Sequence, residues 1–366
     1  MSAAVETFTT RSAASSPAVV NRTRPPGSTI KLARRLGLTY VSTDALTIRR
    51  RRNGQKGYTF IGADGRTIRD VLVRARLKSL AVPPAYEHVL YAEDPQAHIQ
   101  AIGRDAAGRT QYRYHADWQK VRETRKASRL ARLAEALPRV RRSLGQRLAS
   151  SEPTRDLALA AVIELVACSA IRPGSESYAK LRGTRGAATM LKSNVVVEGN
   201  MITLRFKAKG GKQVVKEVAC PRLVQPIEIL RKLPGRRLFQ YRADDGAVRH
   251  VTAHDVNAFL RETAGVKISL KDFRTLMASV QVLDALARET PATSKRGRRQ
   301  QVLEAIRCAA AELANTPAIC AKSYVHASVI TAFEDGELEK FAEIMRSSRS
   351  RAGKEKILAQ VIAAAA

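Results

Sequence analysis

Residues 194–219 read NVVVEGNMITLRFKAKGGKQVVKEVA. Three extended runs stand out in this stretch: Asn194 to Val197, Met201 to Lys207, and Gln213 to Ala219. Turn residues Gly199-Asn200 and Gly210-Gly211 separate them. Short extended runs joined by such turns predict a small three-stranded sheet. On both sides the spacing becomes helical. Leu157 to Ile171 is apolar nearly all round and predicts a buried helix, ended by Arg172-Pro173-Gly174. A very basic helical region, 118–148, precedes it and reads as a hinge between two lobes. After Pro221, helices are expected near 222–232, 253–263, 270–289, 298–314 and 317–334.

Further upstream the pattern is strand-rich. Ala45 to Arg52 is one extended run and Tyr58 to Ile61 the next, with Asn53-Gly54 and Ala63-Asp64-Gly65 as turns. A short amphipathic helix is expected with Ile68, Val71, Leu72 and Ala75 on its inner face. Pro83-Pro84 breaks the chain before a strand at His88 to Ala92, and a last strand runs from Gln111 to His115. The fold class is therefore α+β: a small β-rich N-terminal domain and a mainly helical domain holding the three-stranded sheet. The divisions expected are a disordered tail at 1–29, an N-terminal domain at 30–117, a larger domain at 118–335 and a basic, Ala-rich extension at 336–366.

Charge narrows the function. The chain's 366 residues carry 64 Lys and Arg against 33 Asp and Glu, a net charge of +31. Such an excess self-repels unless a polyanion screens it, so a nucleic-acid backbone is the first partner to consider and an anionic membrane surface the second. The longest apolar run is interrupted by Glu164 and too short to span a bilayer. Cys168, Cys220, Cys308 and Cys320 are far apart in sequence and form no C-x-x-C pair. That argues against a disulfide framework or zinc ribbon and fits a reducing compartment. No secretory signal is legible.

Clustered carboxylates for a metal-dependent nuclease are scarce: Asp244-Asp245-Gly246 reads as a turn. His250 and His254 have helical spacing, but Thr252 reads as an N-cap that leaves His250 outside the helix. No phosphate-binding G-x-x-x-x-G-K-[ST] loop is present. What remains is cationic phosphoryl chemistry, which needs positive charge on nonbridging oxygens, an in-line nucleophile and an acid for the leaving oxygen. Arg172 ends the buried helix, and Lys209 stands at a hairpin tip. Arg274 follows a Ser269-Leu-Lys-Asp272 capping box, with Lys271 beside it. Taken singly, each cation reads first as a solvated surface charge. Thr316-Pro317 reads as a helix start that would place Tyr324 two turns into that helix, and a lone Tyr is commonly a half-buried packing residue.

Taken together, Arg172, Lys209, Lys271-x-x-Arg274, Asn315 and Tyr324 resemble, in order and spacing, the type IB DNA topoisomerases, most closely their compact bacterial and poxvirus form. Phe206-Lys-Ala-Lys209-Gly, Lys271-Asp272-Phe273-Arg274-Thr275 and Lys322-Ser323-Tyr324-Val325 resemble three motifs of the family's catalytic domain. Gly57-Tyr58-Thr59-Phe60, Val82-Pro83-Pro84-Ala85 and Gly108 to His115 resemble its DNA-clamping domain. The resemblance covers residues from about 30 to 335. It implies that Tyr324 is the nucleophile, that Arg172, Arg274 and Asn315 stabilise the transition state, and that Lys209 acts as general acid with Lys271 assisting. It places Gln111, Tyr112 and Tyr114 in the major groove, and it adds Tyr178 and the run Arg49-Arg50-Arg51-Arg52 as DNA contacts. One departure is Asn315, where viral and nuclear members carry His. Asn still donates a hydrogen bond but carries no charge.

The activity so implied is relaxation of supercoiled double-stranded DNA through a 3′-phosphotyrosyl link, by a monomer in the bacterial cytoplasm at the nucleoid. The resemblance implies no ATP, metal or other cofactor requirement and no membrane partner. The nearest alternative is a tyrosine recombinase, although Lys271 stands where that family usually shows His and the N-terminal domain is strand-rich. A non-catalytic, chromatin-like DNA-binding protein and a membrane-surface protein are the other readings that the charge permits.

Overall fold

The computed structural model describes residues 27–54 and 57–364. It separates into two compact units, one ending at Val121 and the other beginning at Arg122. Most of the segment read as a disordered tail lies outside the described residues. Its last part does not fit that reading: α1, Gly27–Arg35, is helical, with Thr29 and Ala33 buried.

In the N-terminal unit, β1 (Ile48–Arg52), β2 (Tyr58–Ile61), β3 (Glu87–Tyr91), β4 (Ile99–Arg104) and β5 (Thr110–Tyr114) form one sheet. Its order is β2-β1-β3-β4-β5, and every neighbouring pair is antiparallel. β4 was not legible as a strand in the sequence. The extended run begins at Ile48 rather than Ala45, because Thr43–Ala45 forms a 3-10 turn. Helix α2, Val71–Ser79, corrects the expected inner face. Val71 and Leu72 are 75% and 81% exposed, whereas Leu77 is buried with Val73 and Leu80 against Ile48, Phe60 and Tyr91. The reason is the start of the helix. Asp70 caps it by accepting from the Val73 amide, so Ile68 lies before the helix, where it packs against the same cluster as expected, and the buried helical face is carried by Val73 and Leu77.

Helix α3, Trp118–Leu148, runs through the unit boundary. From Leu130 to Leu148 it buries an apolar stripe in the core of the C-terminal unit, so this part of the basic helix is a packed element. Helix α4, Arg155–Ser169, is buried on nearly all sides, as its composition required. Then come α5 (Glu176–Arg182) and the antiparallel sheet β6 (Val195–Glu198), β7 (Met201–Lys207) and β8 (Gln213–Ala219). Beyond it lie α6 (Pro221–Arg231), a hairpin of β9 (Gln240–Arg242) and β10 (Val248–His250), α7 (Ala253–Ala264) and α8 (Leu270–Leu286). Asp244-Asp245-Gly246 forms the turn of that hairpin, and His250 lies on β10, outside α7.

The chain ends with α9 (Lys295–Glu312), α10 (Pro317–Ser323), α11 (Ala327–Glu334), α12 (Glu339–Ser347) and α13 (Arg351–Ala364). The single helix expected over 317–334 is broken at Tyr324-Val325-His326. The expected C-terminal extension is also corrected: Met345, Ile357, Leu358, Val361 and Ile362 belong to the main core. Buried Glu355 there accepts from Arg141 at 2.5 Å and from Arg351 at 2.9 Å. No helix among the described residues is long and apolar enough to cross a membrane.

Two buried histidines couple this fold to pH. Burial pushes His98 down to about 4, opposed by a hydrogen bond with Thr39. Burial also pushes His326 down to about 4, with Lys126 reinforcing and Glu123 opposing. An unfolded histidine titrates at about 6.5, so as pH falls the unfolded chain takes up the proton first. The contribution of each neutral ring is complete above about pH 6.5 and is lost as pH falls through the folded value; it is worth on the order of 3 kcal/mol. Denaturant midpoints measured across this range should decline with acidity. His326→Asn keeps a capping acceptor and should flatten part of that decline.

Candidate active site

The site is assembled from ends of elements, where backbone groups lack helical partners. Helix α4 closes at Ala170, in the left-handed region at φ 52°. Arg172 follows two residues later on irregular backbone. Its carbonyl accepts from the Ala187 amide at 2.8 Å, and Pro173 accepts from Ala188 at 2.8 Å. This close approach depends on Gly186, where a Cβ would lie 2.5 Å from the Arg172 carbonyl oxygen. Any side chain at 186 would push the Arg172 segment away.

Helix α9 closes in the same manner. Ala314 takes φ 50° and delivers Asn315. Arg172 Nη2 donates to Asn315 Oδ1 at 2.5 Å, which brings two of the predicted residues together across 143 positions of sequence. The Asn315 amide nitrogen, though buried, has no hydrogen-bond partner among the described residues.

Arg274 lies in the second turn of α8 and is 2% exposed. The capping box is present: Asp272 accepts from the Ser269 amide at 2.8 Å and from its hydroxyl at 2.9 Å. Arg274 donates to the Ala170 carbonyl and, at 3.1 Å, to the Leu313 carbonyl. Its guanidinium carbon stands 4.9 Å from the centre of the Tyr324 ring. Lys271 Nζ is 5.9 Å from the same ring and exposed. Burial pushes the Arg274 guanidinium below the usual arginine range. The Tyr324 phenol opposes that by charge and by a hydrogen bond, while Arg172 adds to it.

Tyr324 caps α10 and does not sit inside a longer helix. Thr316 starts that helix by accepting from the Ile319 amide, with Pro317 first in it, as the sequence indicated. Two residues not singled out from sequence hold the break. Ser279, fully buried on α8, donates to the Tyr324 carbonyl at 3.2 Å and accepts from the His326 amide at 3.0 Å. Lys126 on α3 donates to the Val325 carbonyl at 2.8 Å. A Ser within a helix and a Lys among many carry no motif, so neither was recognisable in advance.

Lys209 is exposed in the β7–β8 turn, next to Ala208. Ala208 lines a narrow cleft with Arg172, Arg185, Lys216 and Arg274. Lys216 donates to the Glu312 carbonyl at 2.9 Å, tying this hairpin to the end of α9. Tyr178 is exposed on α5, with the Arg182 guanidinium 5.7 Å from its ring centre.

In the N-terminal unit, Tyr112 and Tyr114 share one face of β5 and stack with ring centres 5.9 Å apart. Tyr112 also packs against Ile99 and its neighbours. Strand alternation sends Gln111 to the opposite face, where it donates to Asp105 at 2.9 Å. Arg49, Arg51 and Arg52 are exposed. Arg50 departs from that run: it donates to the carbonyls of Val82 and Pro83 at 3.0 Å and of Tyr86 at 2.6 Å. Its guanidinium also lies over Tyr58 at 4.2 Å, so it braces the unit.

With this geometry in hand, comparison places the chain. The family model "Eukaryotic DNA topoisomerase I, catalytic core" matches residues 115–351. The model "Bacterial DNA topoisomerase IB, N-terminal domain" matches residues 57–105. DNA topoisomerase 1B of Acanthamoeba polyphaga mimivirus is 30% identical over 287 residues, 76% of this chain and 84% of that protein. The chain belongs to the type IB DNA topoisomerase family. It is a DNA-relaxing isomerase, and the tyrosine recombinase alternative is not favoured.

Ser279→Ala removes both hydrogen bonds from the backbone that carries Tyr324. Leaving such groups unpaired costs about 1–3 kcal/mol. The relaxation rate should fall about tenfold or more with DNA affinity unchanged, as plasmid relaxation and filter-binding assays would show.

Proposed function

We propose that Tyr324 attacks a backbone phosphodiester of duplex DNA. The phenol gives its proton to water, the new bond joins the phenolic oxygen to phosphorus, and the bond to the 5′ oxygen breaks. One end is then held as a 3′-phosphotyrosyl ester and the other leaves as a 5′-hydroxyl. Arg172 and Arg274 neutralise charge on the nonbridging oxygens, and the Asn315 amide adds a neutral donor. Lys209 protonates the departing oxygen with Lys271 assisting, and this proton returns when the strand is resealed. The ester retains the energy of the original linkage, so resealing needs no ATP. Swivelling of the free strand before resealing removes supercoils of either sign.

The observation that carries this reading is Arg274. Among the described residues this deeply buried cation makes no ion pair, and its Nε has no acceptor. A buried charge without a counterion is costly, and a phosphate oxygen is the partner that its surroundings call for. The same holds for the neighbouring Asn315 amide, which lacks an acceptor.

In the N-terminal unit we assign phosphate contacts to Arg49, Arg51 and Arg52, and groove contacts to Tyr112, Tyr114 and Gln111. Tyr178 provides a further contact in the C-terminal unit. We infer a monomer acting on one duplex in the bacterial cytoplasm at the nucleoid. The bacterial-type N-terminal match supports the bacterial part of this reading.

Tyr324→Phe should abolish relaxation and the covalent adduct, with duplex binding retained. Denaturing gels and peptide mapping of the trapped adduct test this, and relaxation at the unmodified rate would remove Tyr324 from the mechanism. A second prediction separates the arginines of β1. Arg49→Gln with Arg51→Gln should make the slope of log affinity against log salt shallower by about 2. Arg50→Gln should instead lower the thermal stability of the N-terminal unit.

A further inference from the structure

Cys168 and Cys220 are 52 positions apart in sequence, yet their sulfurs lie 2.6 Å from each other. Cys168 sits on the last turn of α4, half-buried; Cys220 is buried directly before α6. Glu164, one turn earlier on α4, completes a cluster whose ligating atoms all lie within 4.8 Å of one another. None of the three takes part in the strand-transfer chemistry described above.

Two chemistries suit such a cluster, and the distances choose between them. Two thiolates on one tetrahedral zinc, with Zn–S near 2.3 Å, stand about 3.8 Å apart. A disulfide brings the sulfurs to about 2.05 Å. The observed separation is far closer to the covalent case. The carboxylate also has a cation already, since Arg222 Nη1 lies 3.6 Å from Glu164.

We propose that Cys168 and Cys220 form a peroxide-oxidisable dithiol that closes into a disulfide bracing the C-terminal unit. Cys168, the more accessible thiol, attacks hydrogen peroxide; its sulfur becomes a sulfenic acid and one water leaves. The Cys220 sulfur then attacks the Cys168 sulfur, the S–S bond forms, the S–O bond breaks, and a second water departs. Two thiols lose two electrons and two protons, and one peroxide is reduced to two waters. The bridge joins the end of α4, four residues before Arg172, to the end of β8, whose hairpin carries Lys209. Closing it moves the sulfurs by only about 0.5 Å, so the site stays in place. The loop it closes is long enough for a clear gain in resistance to unfolding.

The test uses the full chain with Cys308→Ser, which removes the exposed thiol that would otherwise couple two molecules. After hydrogen peroxide treatment, non-reducing peptide mapping should find the Cys168 and Cys220 peptides linked and lighter by two hydrogens. The denaturant midpoint should rise, reverse with dithiothreitol, and stay unmoved in Cys220→Ser. Relaxation should remain within about threefold of the reduced enzyme, the sulfur shift being so small. Both thiols remaining open to alkylation after peroxide would overturn the proposal. So would zinc retained at one ion per chain with the thiols protected, or a relaxation loss that tracks disulfide formation.

Discussion

The guanidinium of Arg274 lies beside the Tyr324 ring and donates to the carbonyls of Ala170 and Leu313. Those carbonyls belong to the closing turns of two different helices. Arg172 leaves the first turn and Asn315 the second, each two residues beyond the carbonyl that Arg274 holds. One side chain therefore sets the spacing of three others. The left-handed conformations of Ala170 and Ala314 belong to the same arrangement. An alanine at positive φ costs about 1–2 kcal/mol, and both turns adopt it where a charge-assisted hydrogen bond anchors the adjoining carbonyl.

Much of this plan was legible because it rests on local chemistry. The Thr316-Pro317 start, the Ser269–Asp272 capping box and the Gly210-Gly211 turn each follow from a residue type and its immediate neighbours. Candidate positions on those elements could be named before any coordinates. Convergence could not be read in that way, because the Arg172–Asn315 bond spans 143 positions. The break at Tyr324 was missed for a related reason. Residues 317–334 read as one helix by spacing, and the interruption is held from outside by Ser279 and Lys126 and locally by the His326 ring, which accepts from the Ser328 amide. Likewise the final thirty residues read as a basic, Ala-rich extension with room for one more helix, yet Glu355 meets Arg141 across 214 positions and the apolar side chains around it join the main core.

Arg50 illustrates the limit of counting charges. Four consecutive arginines look alike in sequence, but strand alternation splits them between two faces. One side chain meets three carbonyls of the proline-rich loop, and its neighbours remain in solvent. A net charge of +31 thus overstates the surface available to a polyanion, because part of the charge holds the fold together. Arg141, with Arg351 on Glu355, is a second example.

The cleft follows the opposite rule. Arg172, Arg185, Lys216 and Arg274 line it, and the single carboxylate there, Glu312, is taken by Lys216. Burial and the Arg237 charge push Arg185 below the usual arginine range, as burial does Arg274. Like charges held this close destabilise the free protein and favour any ligand that spreads negative charge over several oxygens. A further cation at position 315 would add to that repulsion before DNA arrives. In the proposed reaction Asn315 offers the phosphate a donor oriented by Arg172 and brings no charge of its own. A neutral amide beside Arg172 therefore orients that guanidinium through its oxygen without adding to the positive charge already gathered along the cleft.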